Sequence, residues 1–250
     1  DLERTYNSVI DIASGKGQDL FLYNSLRIVK GVFIDKDIDA LAELVKRRYN
    51  LKDEKYYSYW LTKPTNNFIM EVNTIHSDIL SIGDKIKITG MQKADLIVMQ
   101  FAIHYLTNQV DNIVKLSELI KTYINAGGVF IFSCFNGAKI EELLKPLKNG
   151  ETWSEGPYAI TKKYDDTAKL SPYGKLIAVK HPFSKDQYYD EYLAYPKVIS
   201  RQFEKIGFKT ILDKSFIDYY DAYGFEIPEA DKKYISLYHI IALERKKNGK

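Results

Sequence analysis

Residues 8–20 read SVIDIASGKGQDL, and this stretch decides the fold. The run Ser8-Val9-Ile10-Asp11-Ile12 is short and β-branched, as a buried strand is. Gly15 and Gly17 follow as a tight turn, and residues 19–26 continue at helical spacing. Working outward, residues 28–34 read as a second buried strand. Residues 37–48 read as a helix with Ile38, Leu41, Ala42 and Val45 on one face. Further strands are predicted over 68–75, 94–101 and 128–134. Between the last two lies a helix carrying Ile113, Leu116, Ile120 and Tyr123, which the pair Gly127-Gly128 is expected to stop. Such alternation argues a parallel sheet with helices on both faces, whose ligands bind at the carboxyl ends of the strands. After Asn136 the alternation weakens. Residues 150–190 read as an irregular insertion with one or two strands, lying over the ligand edge as a lid. A helix over 193–206, a strand over 208–212 and a closing strand over 235–244 complete the reading.

Composition narrows the function classes. With 250 residues, 45% hydrophobic and 28% charged, the chain suits one globular domain with an insertion, not a disordered or fibrous segment. A net charge of only +3 leaves no basic half able to grip nucleic acid by charge alone. One cysteine, Cys134, cannot form an internal disulfide, and with four scattered histidines it cannot build a Cys/His zinc site. No metal site is therefore expected. No apolar run approaches ~20 residues, so no membrane span is expected either. The 20 tyrosines stand out and suit a stacking pocket.

The glycine turn carries the first chemistry. A dinucleotide fingerprint needs a third glycine two residues after Gly17, where Asp19 and Leu20 stand instead. A phosphate-binding loop needs Gly-Lys-Ser/Thr, yet Lys16 precedes Gly17. What remains is the looser glycine loop of S-adenosylmethionine enzymes, with Gly15 beside the ligand and Asp11, at the strand end, meeting its amino group. Asp35 ends the second strand twenty residues after Gly15, and a carboxylate there can accept both hydrogen bonds of a ribose diol. The competing role, favouring the N-terminus of the next helix, falls to Asp37 and Asp39. Asp78 follows the third strand, at the place of an adenine-binding acid or a turn aspartate.

The string ADLIVMQFAIHY, residues 94–105, puts two aromatics and an imidazole at the ligand edge. Together with GKGQDL it resembles the guanine-N7 methyltransferase domain of mRNA capping enzymes, of the kind found in large cytoplasmic DNA viruses. NAGGVFIFSCFNG, DEYLAY, SFIDYYDAYG and SLYHIIALERK agree in order, so the resemblance runs from Ser8 to Lys246. Where the family usually has Gly-Cys or a similar pair, this chain has Ala13-Ser14.

The resemblance implies a class I, Rossmann-like methyltransferase fold with a seven-stranded, mostly parallel sheet, formed by residues 1–250 as a piece of a larger capping enzyme. It implies S-adenosylmethionine as cofactor, S-adenosylhomocysteine as product, and Gln100 with Asp11, Gly15, Asp35 and Asp78 as cofactor residues. Phe101 and Tyr238 would frame the guanine, His104 and Tyr105 would contact its edge or ribose, and Glu191 would accept from its Watson-Crick donors. Lys16 and Arg47 would meet the cap phosphates. No residue is expected to act as acid or base, because guanine N7 carries a lone pair and no proton; Phe101, His104 and Glu191 position the substrate. The implied partners are the capped 5′ end of mRNA, triphosphatase and guanylyltransferase domains on the same polypeptide, and an activating subunit, all in the cytoplasm, the viral factory or the virion. Two other classes stay open from the residues alone: a methyltransferase of another substrate, and a cap- or RNA-binding module without chemistry.

Overall fold

The structure is a computed structural model that describes residues 4–50, 70–166, 171–182, 184–224 and 226–247. In chain order it begins with β1 (Ser8–Ile12), α1 (Leu20–Ser25), β2 (Lys30–Asp35), α2 (Ile38–Asn50), β3 (Glu71–His76), α3 (Lys85–Ile88) and β4 (Ala94–Gln100). Of the strand predicted over 68–75, residues 68 and 69 lie outside the described residues. Val9, Ile10 and Ile12 of β1 and Val32, Phe33 and Ile34 of β2 are all buried. An unbroken apolar run suits a strand covered on both faces, as parallel strands are. Asp37 accepts hydrogen bonds from the backbone N–H of Asp39 and Ala40, and so starts α2.

The chain continues through α4 (Val110–Tyr123), β5 (Ile124–Phe135), α5 (Gly137–Leu144), β6 (Thr152–Glu155), β7 (Tyr158–Lys162), β8 (Leu176–Lys180) and β9 (Tyr188–Tyr192). It closes with α6 (Pro196–Glu204), β10 (Phe208–Ser215), α7 (Phe216–Tyr223), α8 (Glu229–Ser236) and β11 (Tyr238–Arg245). Seven strands form one sheet in the order β10-β11-β5-β4-β1-β2-β3. β1 pairs in parallel with both β2 and β4, and β2 with β3. The chain thus leaves β1 toward β3 on one side and returns to β4 on the other. Between β1 and β4 the strand order reverses, and crevices of this kind take ligands at the carboxyl ends.

The expected class of fold is present, and three local expectations are corrected. Gly127-Gly128 does not stop α4: the helix ends at Tyr123 and both glycines lie inside β5. A Cβ on Gly128 would stand 3.0 Å from the Asp95 carbonyl oxygen, so close backbone approach is what the glycine permits. The insertion is more regular than expected, since β6, β7, β8 and β9 form a four-stranded antiparallel sheet. Ile235 belongs to α8, and the closing strand starts at Tyr238.

By internal packing the chain divides into two compact units. The first is Asp1–Gln100, Glu118–Ile131 and Glu244–Lys250; the second is Phe101–Ser117 and Phe132–Leu243. The second has its own core, in which Phe135, Ile140, Leu144, Ile160, Ile177, Val179 and Leu193 pack with Tyr234 and Leu237. No described helix is long and apolar enough to cross a membrane. Among the described residues no cluster of His, Cys, Asp and Glu is placed to hold a metal ion.

Candidate active site

In the first unit, β1 delivers Asp11 and the turn after it delivers Gly15. Asp11 is 5% exposed and accepts a hydrogen bond from the Tyr23 hydroxyl at 3.0 Å. Burial, reinforced by the carboxylates of Asp19 and Asp35 and opposed by Tyr23, pushes its carboxyl up to about 8. A cation beside it would reverse that cost. Gly15 has φ +51°, and a Cβ built on it would meet nothing within 4 Å. Its backbone N–H donates to Asp35 Oδ2 at 2.8 Å, while Asp35 Oδ1 accepts from the Asp37 N–H at 2.9 Å. Asp35 therefore braces the turn and the start of α2, and each of its oxygens keeps a further lone pair for a ligand. Gly17 serves packing instead. It has φ +65°, and its Cβ would stand 2.6 Å from Leu44 Cγ, so its lack of a side chain lets α2 lie close.

The remaining predicted residues of this unit lie on β4, on α2 and on two turns. Asp78 is exposed and caps a 3-10 turn at Ile79–Ser81, accepting from the Leu80 N–H at 2.9 Å. Gln100 ends β4. Lys16 is exposed on the glycine turn, and Arg47 lies in the last turn of α2 with its Nε buried and without a hydrogen-bond partner. A buried carboxyl awaiting a cation, an open space over Gly15 and the orphaned Ser14 hydroxyl fit the amino group and ribose of S-adenosylmethionine.

The second unit holds a cavity of about 540 Å³, and the structure brings Phe101, His104, Tyr105, Glu191 and Tyr238 together in its wall. Phe101 comes directly after β4 with φ +51°, a conformation that costs an L-residue roughly 1–2 kcal/mol. Its N–H is held by the Ser133 carbonyl at 3.1 Å and the Ser133 hydroxyl at 3.2 Å, and its ring stays 49% exposed. The strained turn aims an aromatic face into the cavity. The Phe101 and Tyr238 rings meet edge to face, 5.4 Å apart at 88°, so they make a corner and not a parallel clamp. His104 and Tyr105 follow on a 3-10 turn, Ile103–Leu106, which Thr107 ties to β9 through the Tyr192 carbonyl.

Glu191, on β9, is only 8% exposed. Its Oε2 lies 3.8 Å from His104 Nδ1 and its Oε1 lies 3.4 Å from His181 Nε2. Burial holds the His104 pKa below the ordinary imidazole value, against the pull of Glu191 and with His181 adding to the lowering. Its Nε2 is buried without a hydrogen-bond partner. The arrangement is a buried carboxylate in an aromatic cavity, able to accept from a flat ring that presents N–H donors. Sequence reasoning missed His181, Phe216 and Tyr234 in this wall. Of these His181 had a signal, an imidazole between Lys180 and Pro182 just after the apolar run LIAV.

The sequence pattern of the mRNA (guanine-N(7))-methyltransferase domain matches residues 2–237. The chain belongs to this family. The family is one of methyltransferase domains. The chain is 30% identical, over 258 residues, to the mRNA-capping enzymes of African swine fever virus isolates Tick/South Africa/Pretoriuskop Pr4/1996 and Warthog/Namibia/Wart80/1980. The match takes in 95% of the chain and 29% of each relative, so the domain spans under a third of their length. Among solved structures it is similar to an S-adenosylmethionine-dependent methyltransferase from Clostridium acetobutylicum ATCC 824, at 12% identity and TM-score 0.58, over 96% of this chain and 84% of that one. The CcbJ methyltransferase from Streptomyces caelestis gives 14% identity and TM-score 0.59, over 97% and 84%. At these identities the likeness establishes the fold alone, which is the class I methyltransferase fold expected from the sequence.

Proposed function

We propose that this domain transfers the methyl group of S-adenosylmethionine to N7 of the guanine cap at the 5′ end of mRNA, leaving S-adenosylhomocysteine. The observation that carries the reading is Glu191, a buried carboxylate flanked by His104 and His181 in an aromatic cavity. Guanine presents N–H donors at N1 and at its 2-amino group, and one carboxylate accepts both; adenine presents an acceptor at N1 and would be repelled.

The bound cofactor supplies a methyl group on a positively charged sulfur. Asp11 would hold its amino group, Gly15 would leave room for it, and Asp35 would take its ribose, with Asp78 and Gln100 toward the adenine side. With the cofactor bound, the N7 lone pair would take its methyl group, the electrons of the broken S–C bond staying on sulfur and the positive charge passing to the base. No proton leaves N7, so no base is required. Phe101 and Tyr238 set the ring plane, and His104 and Tyr105 hold its edge or ribose. Glu191, a buried carboxylate in the cavity wall, favours a base that becomes cationic. His104, kept neutral by burial, adds no opposing charge. Lys16 and Arg47 would meet the phosphates.

The relatives are longer capping enzymes, which supports placing this chain, as one methyltransferase domain with the 150–190 insertion, beside triphosphatase and guanylyltransferase domains of one viral polypeptide in the cytoplasm. Incubation with methyl-labelled S-adenosylmethionine and an unmethylated cap dinucleotide tests the reading. Label at guanine N7 is expected. Cofactor binding without transfer to the cap would point to another substrate, and no cofactor binding to an inert module.

A further inference from the structure

Within the wall of this cavity, Tyr238, Tyr234 and His181 form a line of contacts that ends on Glu191. Tyr238 Oη donates to Tyr234 Oη at 3.3 Å, and Tyr234 Oη lies 2.9 Å from His181 Nδ1. His181 Nε2 then faces Glu191 Oε1 at 3.4 Å. Tyr234 is itself locked: its ring stacks on Tyr158 at 3.9 Å and 16° and meets Phe135 edge to face at 5.6 Å. Tyr158 is tied in turn to Asp231 by a 2.7 Å hydrogen bond.

Proton bookkeeping gives this chain of groups a direction. Tyr234 already accepts from Tyr238, and burial pushes its phenol pKa up, so it keeps its proton. The acceptor in reach of that proton is His181 Nδ1. A neutral His181 must then carry its own proton on Nε2, the nitrogen nearest Glu191; a charged one carries a proton there as well. In both states a proton sits on Nε2, the nitrogen 3.4 Å from Glu191 Oε1.

We infer that His181, oriented by Tyr234, is a positioning residue for guanine recognition: it fixes the Glu191 carboxylate so that its remaining lone pairs meet N1–H and the 2-amino group together. The inference rests on the cap-binding reading of the cavity. Four elements bring the parts together. β9 supplies Glu191, the segment after β8 supplies His181, α8 supplies Tyr234 and β11 supplies Tyr238. A carboxylate held at one end can discriminate by geometry, whereas a swinging one satisfies either donor singly.

The discriminating probe is a cap dinucleotide in which inosine replaces guanosine, since inosine keeps N1–H and lacks the 2-amino group. Dissociation constants of GpppA and IpppA are measured with S-adenosylhomocysteine bound, for the unsubstituted domain and for His181→Ala, His181→Gln and Tyr234→Phe. The unsubstituted domain should prefer GpppA. His181→Ala should weaken GpppA by about tenfold, the size of one lost charge-assisted contact, and weaken IpppA less, so that the preference shrinks. In turnover the loss should appear in KM, with kcat kept within about twofold. His181→Gln places an amide N–H toward Glu191 and an amide oxygen toward Tyr234, and should restore most of the preference. Tyr234→Phe removes one oxygen and should fall between. Should His181→Ala fail to fold, judged by lost S-adenosylhomocysteine binding, the Tyr234→Phe and His181→Gln pair decides the matter. A GpppA to IpppA ratio unmoved in the folded variants overturns this inference alone. Failure of the unsubstituted domain to bind either dinucleotide overturns the proposed function, and this inference with it.

Discussion

With Asp11 in its proposed place at the cofactor's amino group, cofactor binding and folding should depend on pH in opposite senses. In the folded chain its carboxyl titrates at about 8, with Asp19, Asp35 and Tyr23 as its polar neighbours, whereas in an unfolded chain it titrates near 3.9. The folded state therefore holds an extra proton between those values. That contribution to stability is complete below about pH 4 and is lost as pH rises through about 8. Asp11→Asn cannot titrate, and its urea-unfolding stability should fall less than that of the unsubstituted domain between about pH 5 and 8. S-adenosylmethionine brings a cationic amino group that favours the carboxylate. Binding at about pH 7 should then release most of one proton, read by calorimetry in two buffers of different ionisation enthalpy. No release would detach Asp11 from the amino group. The two glycines of the turn separate in the same manner. Gly15→Ala adds a Cβ in open space and a left-handed strain of roughly 1–2 kcal/mol, so it should cut cofactor affinity more than stability. Gly17→Ala drives a Cβ against Leu44 and should add an overpacking cost of about 1–3 kcal/mol, so thermal unfolding should register it more strongly than Gly15→Ala. Equal losses of stability would refute the division of labour.

At the scale of elements, the four-stranded sheet of the insertion is a structural member of the second unit. Ile160 of β7 is fully buried in the core formed with Ile140, Leu144 and Val179. Ile160→Ala should cost about 2–5 kcal/mol of stability in urea unfolding; a change within error would mean that the sheet is peripheral to the cooperative fold. This sheet was also the part least legible in the sequence. β7 is buried at four of its five positions and β8 at its three central ones, so neither strand shows the polar alternation that marks a half-buried strand. The opening β-α-β-α order was legible because buried parallel strands and one-sided helices have distinct periods, and β1, β2 and α2 fall where their patterns put them. α8 had a signal in Pro228, Glu229 and Asp231, acidic residues in a first turn behind a proline, but Ile235 read as the start of a strand. The site divides likewise. Phe101, His104 and Tyr105 lie on one continuous string at a strand end, so local reading reaches them. His181 and Tyr234 come from separate elements and meet only through tertiary packing.

On the scale of the whole molecule, near-neutral charge limits how RNA can be held. A balance of +3, with 36 basic against 33 acidic side chains, leaves local contacts to do what a basic groove does elsewhere. Many lysines are already engaged: Lys163 with Asp190, Lys175 with Glu141 and Lys233 with Glu155 each form ion pairs. Under the proposed function the cap would be recognised mainly by its base, in a cavity where aromatic area and one buried carboxylate supply affinity that salt screens little. For capped RNA the logarithm of the binding constant should fall with the logarithm of salt at a slope near −2, the value for about three released counterions on a single strand. Lys16 is the exposed basic group proposed to meet a phosphate. Lys16→Ala should therefore flatten the slope by about 0.7 and weaken capped RNAs of different sequence alike. A slope near −6, equivalent to about eight counterions, would mean that an extended RNA path carries the affinity, and the cap cavity would then be one contact among many.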